Sequence, residues 1–326
     1  MRAILFIKKI VPFVGMFCLL TLCTVGCGLS KAASSEGASK LSSSKTEDEP
    51  RLEVRKSGDK NTLGVWWWNI DTIKNPDEYL NFLEANHVSE IYLCIDSIGR
   101  KSLFDEVRVF AKKAKEKGMR IAALTGDKDW INPDNKGFES YVNNFNTYQS
   151  QAGDDEKFYA MHLDVEPHQH SEFKDNRPKV MQLFADFVIN KAATEAKKSN
   201  TLLEWDIPFW LVDEVKDKDG SEIILAELMA KYCDTLAVMS YRDTAKAMFD
   251  VSKEEIEYAK KYNRKIVLGA ETKSSEGDNV SYMEEGKRVM YAELSTLKGM
   301  MDSAVPDQNY GFAIHQVVNW HALKNG

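Results

Sequence analysis

The stretch that decides the fold reads Met161-His162-Leu163-Asp164-Val165-Glu166, and it alternates apolar and polar side chains at every position. Successive side chains of a β-strand point to opposite faces. The apolar set therefore faces one layer, while His162, Asp164 and Glu166 all point to the other side. Pro167 follows directly and ends the run. The pattern predicts a strand with three polar side chains on one face.

Working outward, seven more β-rich runs alternate with amphipathic helical stretches such as 77–86, 104–117, 178–198, 253–262 and 282–300. The runs are Thr62–Trp68, Glu90–Asp96, Arg120–Thr125, Leu202–Asp206, Thr235–Tyr241, Lys265–Glu271 and Gly311–Trp320. Together with 160–166 they make eight strand–helix units, which predicts an α/β fold, a (β/α)8 TIM barrel, as a single catalytic domain. A doubly wound sheet is the alternative, but no Gly-rich phosphate loop follows the first run.

The same alternation predicts which side chains point into the barrel. Asp96 and Glu271 are inward at the ends of their strands, and Tyr241 is inward at the end of the sixth. Barrel interiors are normally filled by branched apolar residues, so inward carboxylates at strand ends indicate an active site. Asp206, at the end of the fifth strand, is expected to line a substrate subsite or to form a salt bridge in a loop.

All seven tryptophans fall in or just beyond the first, third, fifth and eighth predicted strands. A cluster of indole rings at one rim suggests stacking platforms for sugar rings. The candidates are Trp67, Trp205 and Trp320. Trp66 and Trp68 have the opposite alternation to Trp67, so at least one of these three side chains must pack against helices instead.

Three motifs resemble those of the chitinase-type glycosidases. They are Asp164-Val165-Glu166, Met239-Ser240-Tyr241 and the terminal Trp320, with His162 in place of a further Asp of that family. The resemblance implies that Glu166 is the acid and that Asp164 orients the acetamido group of the substrate. That acetamido group is then the nucleophile. Glu271 would be a binding residue.

A second resemblance is to the retaining β-glycanases of clan A, which carry an acid/base Glu after strand four and a nucleophilic Glu after strand seven. Glu166 and Glu271 occupy these places, although Val165 replaces the usual Asn. This resemblance implies a carboxyl separation of about 5–5.5 Å. Asp164 would raise the pKa of Glu166 by charge repulsion. In both cases Glu166 is catalytic, and Tyr241 donates a hydrogen bond to the nucleophile.

Two other classes of function stay open. His162, Asp164, Glu166, His168 and His170 form an acid and imidazole cluster that could hold a metal, as in a metal-dependent polysaccharide deacetylase or amidohydrolase. A catalytically inactive barrel that binds glycan is the other alternative. We expect no cofactor and no resident metal. His162 is then a substrate-binding residue, together with Tyr241, Asp96 and Asp206.

The N-terminus predicts export. Arg2, Lys8 and Lys9 precede an apolar run at 10–22, and Thr24-Val25-Gly26-Cys27 resembles the lipobox of bacterial lipoproteins. Residues 1–26 are thus expected to be a signal peptide, with Cys27 as the lipidated residue. Lipidation would anchor the protein to the outer face of the cytoplasmic membrane. Few large apolar residues occur after Cys27, so 27–61 is predicted to be a flexible tether and 62–326 the barrel.

Composition limits the partners. The chain is 43% hydrophobic and 29% charged, as is usual for globular proteins, and its formal charge is -7. An acidic protein is not expected to bind nucleic acid, because phosphate binding needs a basic surface. The expected partners are a polysaccharide substrate and, through the lipid, the membrane. We expect the protein to be a monomer.

Overall fold

The computed structural model describes residues 49–95, 101–274 and 279–326. Eight parallel strands close a barrel in the order β1-β2-β3-β4-β5-β8-β9-β10. The strands are β1 (Thr62–Trp67), β2 (Glu90–Cys94), β3 (Arg120–Thr125), β4 (Ala160–Leu163), β5 (Leu202–Ile207), β8 (Thr235–Val238), β9 (Lys265–Glu271) and β10 (Tyr310–His315). A short antiparallel hairpin, β6 (Glu214–Lys216) and β7 (Glu222–Ile224), follows β5. The predicted (β/α)8 barrel is confirmed.

Helices surround the barrel. They are α1 (Asp77–Ala85), α2 (Lys101–Glu116), α3 (Gly137–Gln151), α4 (Arg177–Phe187), α5 (Ala193–Lys198), α6 (Leu225–Tyr232), α7 (Ala245–Val251), α8 (Lys253–Lys261), α9 (Lys287–Ala304) and α10 (Val317–Ala322). A π-helical turn, Val188–Ala192, joins α4 to α5. In the part of the chain that the structure describes, no helix is both long enough and apolar enough to cross a membrane.

Two apolar layers follow from the alternation along the strands. Met161, Leu163 and Val165 lie in the large core between barrel and helices, as predicted. A smaller cluster inside the barrel contains Trp66, Tyr92 and several alanines. The strands β4 and β8 are shorter than the β-rich runs that predicted them, so Asp164, Glu166 and Tyr241 lie just beyond the last strand residues.

The folded unit begins at Glu49, and not at residue 62 as predicted. Leu52 and Val54 are buried in the main core, and the backbone N–H of Leu52 donates to Oδ1 of Asn86 at the end of α1. The segment 49–61 has only two aliphatic side chains, too few to form a helical or strand pattern, so the sequence does not distinguish it from the polar stretch before it. The predicted signal peptide, Cys27 and the predicted tether up to residue 48 lie outside the described residues, so these assignments stay predictions.

The amino-terminal end of the barrel is closed by an ion group of Glu90, Arg120 and Lys265. The buried carboxylate of Glu90 accepts from Nη2 of Arg120 at 2.6 Å and from Nζ of Lys265 at 2.6 and 2.7 Å. Burial alone would raise the pKa of Glu90, but the two cations outweigh it and lower the pKa to about 2. Because this pKa lies below the ordinary 4.5, Glu90 stabilises the fold above pH 4.5, and that stabilisation is lost as the pH falls through about 2.

We expect Glu90→Gln to lower the free energy of unfolding at pH 7 by about 3 kcal/mol, because it leaves the ammonium group of Lys265 buried without its anion. Urea unfolding measures the loss. The matched control is Glu84→Gln, which removes an exposed partner of Lys117 and should cost less than about 1 kcal/mol. Equal costs for the two variants would contradict the structural role given to the ion group.

Candidate active site

The carboxyl end of β4 carries two of the predicted acids. The backbone N–H of Asp164 donates to the carbonyl oxygen of Thr125 at 2.9 Å, which continues the β3–β4 pairing by one residue. Gly126 is required at this crossing, since a Cβ there would lie 1.8 Å from the carbonyl oxygen of Asp164. Glu166 precedes the 3-10 turn Pro167–Gln169. Both acids therefore lie at the rim where TIM-barrel enzymes place their active sites.

The side chain of Glu166 is only 16% exposed. Nε2 of Gln169 donates to its Oε2, and Nε2 of His168 lies 3.8 Å from its Oε1. Burial and then the negative charge of Asp206 raise the pKa of Glu166 to about 7, against a smaller opposing effect of His315. The raised pKa was predicted, but its charged cause is Asp206 on β5 and not Asp164.

Glu271, the last residue of β9, is fixed by three N–H donors. Its Oε1 accepts from the backbone N–H groups of Thr272 and Lys273 at 2.8 and 2.7 Å. Its Oε2 lies 2.8 Å from Nδ1 of His315. Since Nε2 of His315 accepts from the indole N–H of Trp68 at 2.8 Å, Nδ1 carries the imidazole proton and donates it to Glu271. The carboxyl group is thus held rigidly at the rim.

Tyr241 is close enough to both carboxyl groups for their charges to act on its phenol. Its ring centroid is 5.7 Å from that of His315. Burial, followed by the charges of Glu271, Asp206, Asp164 and Glu166, raises the pKa of Tyr241 well above its ordinary value. The phenol therefore stays protonated and can donate a hydrogen bond. Gly269 leaves room for the ring, since a Cβ there would lie 3.1 Å from Cε1 of Tyr241.

His162 and Asp206 point inward as predicted, but they lie beneath the rim. His162 is completely buried, and its Nδ1 and Nε2 lie 3.1 Å from Glu204 and 2.8 Å from Asp206. Asp206 is 2% exposed, and its other oxygen accepts from the indole N–H of Trp66 at 3.0 Å. The prediction that these two residues bind substrate is therefore corrected, because every polar atom of both side chains is engaged inside the protein.

The prediction that Trp67, Trp205 and Trp320 are stacking platforms is wrong. All three are buried in the core between barrel and helices. Trp67 packs edge-on against Phe110, Trp205 against Phe184, and Trp320 against Phe82. Trp320 also lies in α10 and not in a strand.

Two other indole rings are half-buried and belong to the rim. Trp68 follows β1 and donates to His315, which lowers the pKa of Glu166 slightly. Trp210 follows β5, with its ring centroid 5.3 Å from that of His168. Each ring thus contacts one of the two histidines that interact with Glu166. Nothing in the sequence distinguishes these rings from the buried ones, because all seven tryptophans lie near predicted strand ends.

His315 is the site residue that the sequence analysis missed. It could have been found by the same alternation, because Phe312 and Ile314 face the helices and Ala313 faces the interior. The predicted eighth strand extends to Trp320, whereas β10 ends at His315. The prediction therefore does not mark His315 as the last residue of a strand. Asp96 lies outside the described residues, so its predicted role stays a prediction.

The five-residue acid and imidazole cluster is not brought together. His162 is engaged beneath the rim, while Nε2 of His170 lies 3.2 Å from Oδ1 of Asn132. Burial lowers the pKa of His168, and its ring packs against Trp210. Within 49–95, 101–274 and 279–326, no group of three or more His, Cys, Asp or Glu side chains is spaced to hold a metal ion.

The arrangement joins a carboxylic acid that holds its proton near neutrality, a rigid second carboxyl group and a phenol donor. Glu166 comes from the end of β4, Tyr241 from the segment after β8 and Glu271 from the end of β9. Pairs of carboxyl groups whose environments differ are suited to separate acid and nucleophile or charge-stabilising roles. This arrangement can support a reaction in which one carboxyl group gives a proton to a leaving oxygen. The other carboxyl group can then stabilise the positive charge that develops on the neighbouring atom.

No protein-family model matches the chain, and a search of curated proteins finds no match. Among solved structures it is similar to a GH18 chitinase from Cycas revoluta in complex with (GlcNAc)4. That match has 12% identity and a TM-score of 0.46, over 79% of this chain and 95% of that one. A Bacillus megaterium QM B1551 spore cortex-lytic enzyme, SleL, matches with 11% identity and a TM-score of 0.47, over 85% and 74%. A β-glucosidase, 1317, matches with 9% identity and a TM-score of 0.48, over 76% and 78%. These neighbours are glycoside hydrolases, and similarity at this level does not extend to substrate or mechanism.

Proposed function

We propose that the protein is a glycoside hydrolase in which Glu166 is the general acid/base. The observation that carries this proposal is the state of Glu166. Its carboxyl group is mostly buried at the carboxyl end of a barrel strand, with a pKa of about 7. A general acid works best when its pKa lies near the working pH. A glutamate with its ordinary pKa would have lost its proton near neutral pH and could not act as the acid.

In the proposed reaction, Glu166 gives its proton to the glycosidic oxygen while the bond from that oxygen to the anomeric carbon breaks. The leaving group departs as an alcohol, and Glu166 becomes the carboxylate. It then takes a proton from the water that attacks the anomeric carbon in the second step, which restores the acid and releases the sugar. Retention of configuration follows from two displacements at the same carbon.

The nucleophile of the first step is Glu271 or an acetamido oxygen of the substrate. Glu271 supports the first possibility, because three N–H donors fix its carboxyl group while Oε2 accepts only one of them. Tyr241 supports either, since its phenol proton can be donated to a carboxylate or to an acetamido oxygen. The substrates we propose are accordingly a β-linked glucan or an N-acetylhexosamine polymer. Asp164 orients an acetamido group in the second case.

A polymer is proposed because two half-buried indole rings belong to the rim, Trp68 after β1 and Trp210 after β5. Two separate platforms suit a chain of sugars better than a single ring. The lipobox-like sequence around Cys27 supports attachment to the outer face of the membrane, where such polymers are found. The protein would then act at the cell surface as a lipid-anchored monomer.

The pH dependence tests the assignment of Glu166. We expect kcat/KM to fall about tenfold per pH unit above a midpoint near pH 7, because only the protonated carboxyl group can supply a proton to the leaving oxygen. A pH–rate profile between pH 5 and pH 10, with any polymer that is cleaved, measures the midpoint. Activity that stays constant up to about pH 9 would show that Glu166 is not the acid.

A further inference from the structure

A column of polar side chains fills the barrel beneath the rim. Glu204 accepts from the hydroxyl groups of Tyr159 and Thr235 at 3.0 and 3.1 Å, and it lies 3.1 Å from Nδ1 of His162. Asp206 lies on the other side of the His162 ring, next to Nε2. None of the interior groups Glu204, His162 and Asp206 is more than 2% exposed. The column is therefore shielded from water.

His162 is a cation in this setting. Both ring nitrogens face carboxylate oxygens, and a nitrogen that faces a carboxylate has to donate. Burial alone would lower the pKa of His162, but Asp206 and then Glu204 outweigh it and raise the pKa to about 10. The ring also stacks on Tyr92, with centroids 4.2 Å apart. A buried imidazolium between two carboxylates costs desolvation that an apolar core would avoid.

Asp206 connects this column to the proposed acid. It is the charged group that raises the pKa of Glu166, and it also acts on Tyr241. The other titratable groups that face Glu166 are His315 from β10, Tyr241 from the segment after β8 and His168 from its own turn. The charge that acts on Glu166 therefore depends on where the Asp206 carboxylate is held, and His162 holds it from below.

The groups that face His162 are few. They are Glu204 and Asp206 from β5 and the phenol of Tyr92 from β2, which in turn donates to Glu90 at 3.2 Å. The cations Lys265 and Arg120 donate to Glu90, and Arg120 also interacts with Glu204 through its charge. Among the described side chains in contact with Asp206, His162 is thus the one that carries positive charge.

We propose that His162 is a positioning residue, which acts on Glu166 through Asp206. By holding the Asp206 carboxylate in place beneath Glu166, it decides at which pH Glu166 carries its proton. His162 touches no substrate in this scheme. The inference rests on the proposed function, since it concerns the proton that Glu166 would give to the leaving oxygen.

The variant His162→Gln removes the cation and keeps an amide donor. Without the imidazolium that engages its Oδ1, the Asp206 carboxylate is no longer held beneath Glu166, so its repulsion of Glu166 weakens. We expect the titration midpoint of Glu166 to fall by about one to two pH units. Asp206→Asn removes the same charge directly and should give a shift in the same direction. The double variant should shift no further than either single variant, because both act through one carboxylate.

Two readouts are compared on the purified full-length chain and these three variants. The first is NMR titration of the carboxyl carbon of Glu166, assigned by its loss in Glu166→Gln, and it needs no substrate. The second is the basic limb of the kcat/KM profile. A common shift of both readouts, not additive in the double variant, supports the proposal. An unmoved Glu166 midpoint in His162→Gln, or shifts that add, would overturn it.

The wild-type protein provides a test that needs no stable variant. Nitrogen NMR of the imidazole of His162 should show both ring nitrogens protonated from pH 5 to pH 8. A neutral ring in this range would overturn the proposal even if His162→Gln fails to fold. Because the titrations of Glu166 and His162 are read without substrate, they stay decisive if no polymer is cleaved. Cleavage with an unmoved midpoint would refute the inference and leave the proposed function standing.

Discussion

Glu166→Gln is expected to lower kcat/KM by about a thousandfold or more, because an amide keeps the shape of the side chain but has no proton to give to the leaving oxygen. The thermal midpoint should stay within about 3 °C of the wild-type value. The substitution replaces the mostly buried carboxyl group by an amide of the same shape, so packing is preserved. Initial rates and thermal unfolding of the same preparations measure both quantities.

The matched control for this variant is Glu172→Gln. Glu172 lies in the segment that follows β4, is well exposed and pairs with Lys179 at 2.6 Å. Losing an exposed ion pair should leave both activity and stability nearly unchanged. If Glu166→Gln keeps its turnover but unfolds many degrees earlier, Glu166 is a structural residue and the assignment fails.

Trp205→Ala is expected to lower the free energy of unfolding by about 3–5 kcal/mol. The indole ring packs edge-on against Phe184 and Phe187, with centroids 5.5 and 5.9 Å away, and no part of it is exposed. Its removal leaves a cavity between the barrel and α4 that the surrounding side chains cannot fill. Urea unfolding at constant pH gives the difference.

Trp210→Ala is the comparison for Trp205→Ala, because Trp210 is half-buried against His168 and Phe173 at the rim. We expect a loss of stability below about 2 kcal/mol and a raised KM for polymers, since the ring is reachable from solvent. The opposite ranking, with Trp205 affecting KM and Trp210 affecting stability, would restore the stacking role that the sequence suggested for Trp205.

Side-chain alternation carried most of what could be predicted about the site. It placed Asp164, Glu166 and Glu271 at the rim, because a strand with one apolar face has only one way to lie in a barrel. The alternation does not say how deep along the barrel axis a residue lies. His162 and Asp206 were therefore placed among the substrate contacts, although they lie beneath the rim.

Contacts between residues far apart in the chain could not be predicted from the sequence. The pairing of β4 with β5 sets His162 opposite Glu204, and that register depends on the whole closed barrel. The three N–H donors of Glu271 depend on the loop that follows β9 and on His315 at the end of β10. Tryptophan at a strand end was a misleading signal, because a large ring fills the space between barrel and helices as readily as it lines a rim.

The most direct test of the central claim is product release by the purified protein and by Glu166→Gln, from a panel of β-glucans and N-acetylhexosamine polymers. The proposal predicts oligosaccharide products from at least one polymer with the wild type and none with the variant. Products from a β-glucan identify Glu271 as the nucleophile, because such a substrate has no acetamido group, and products from acetamido polymers alone favour Asp164 as the partner of Glu166. Binding of a polymer without release of any product would contradict the claim and leave a glycan-binding barrel.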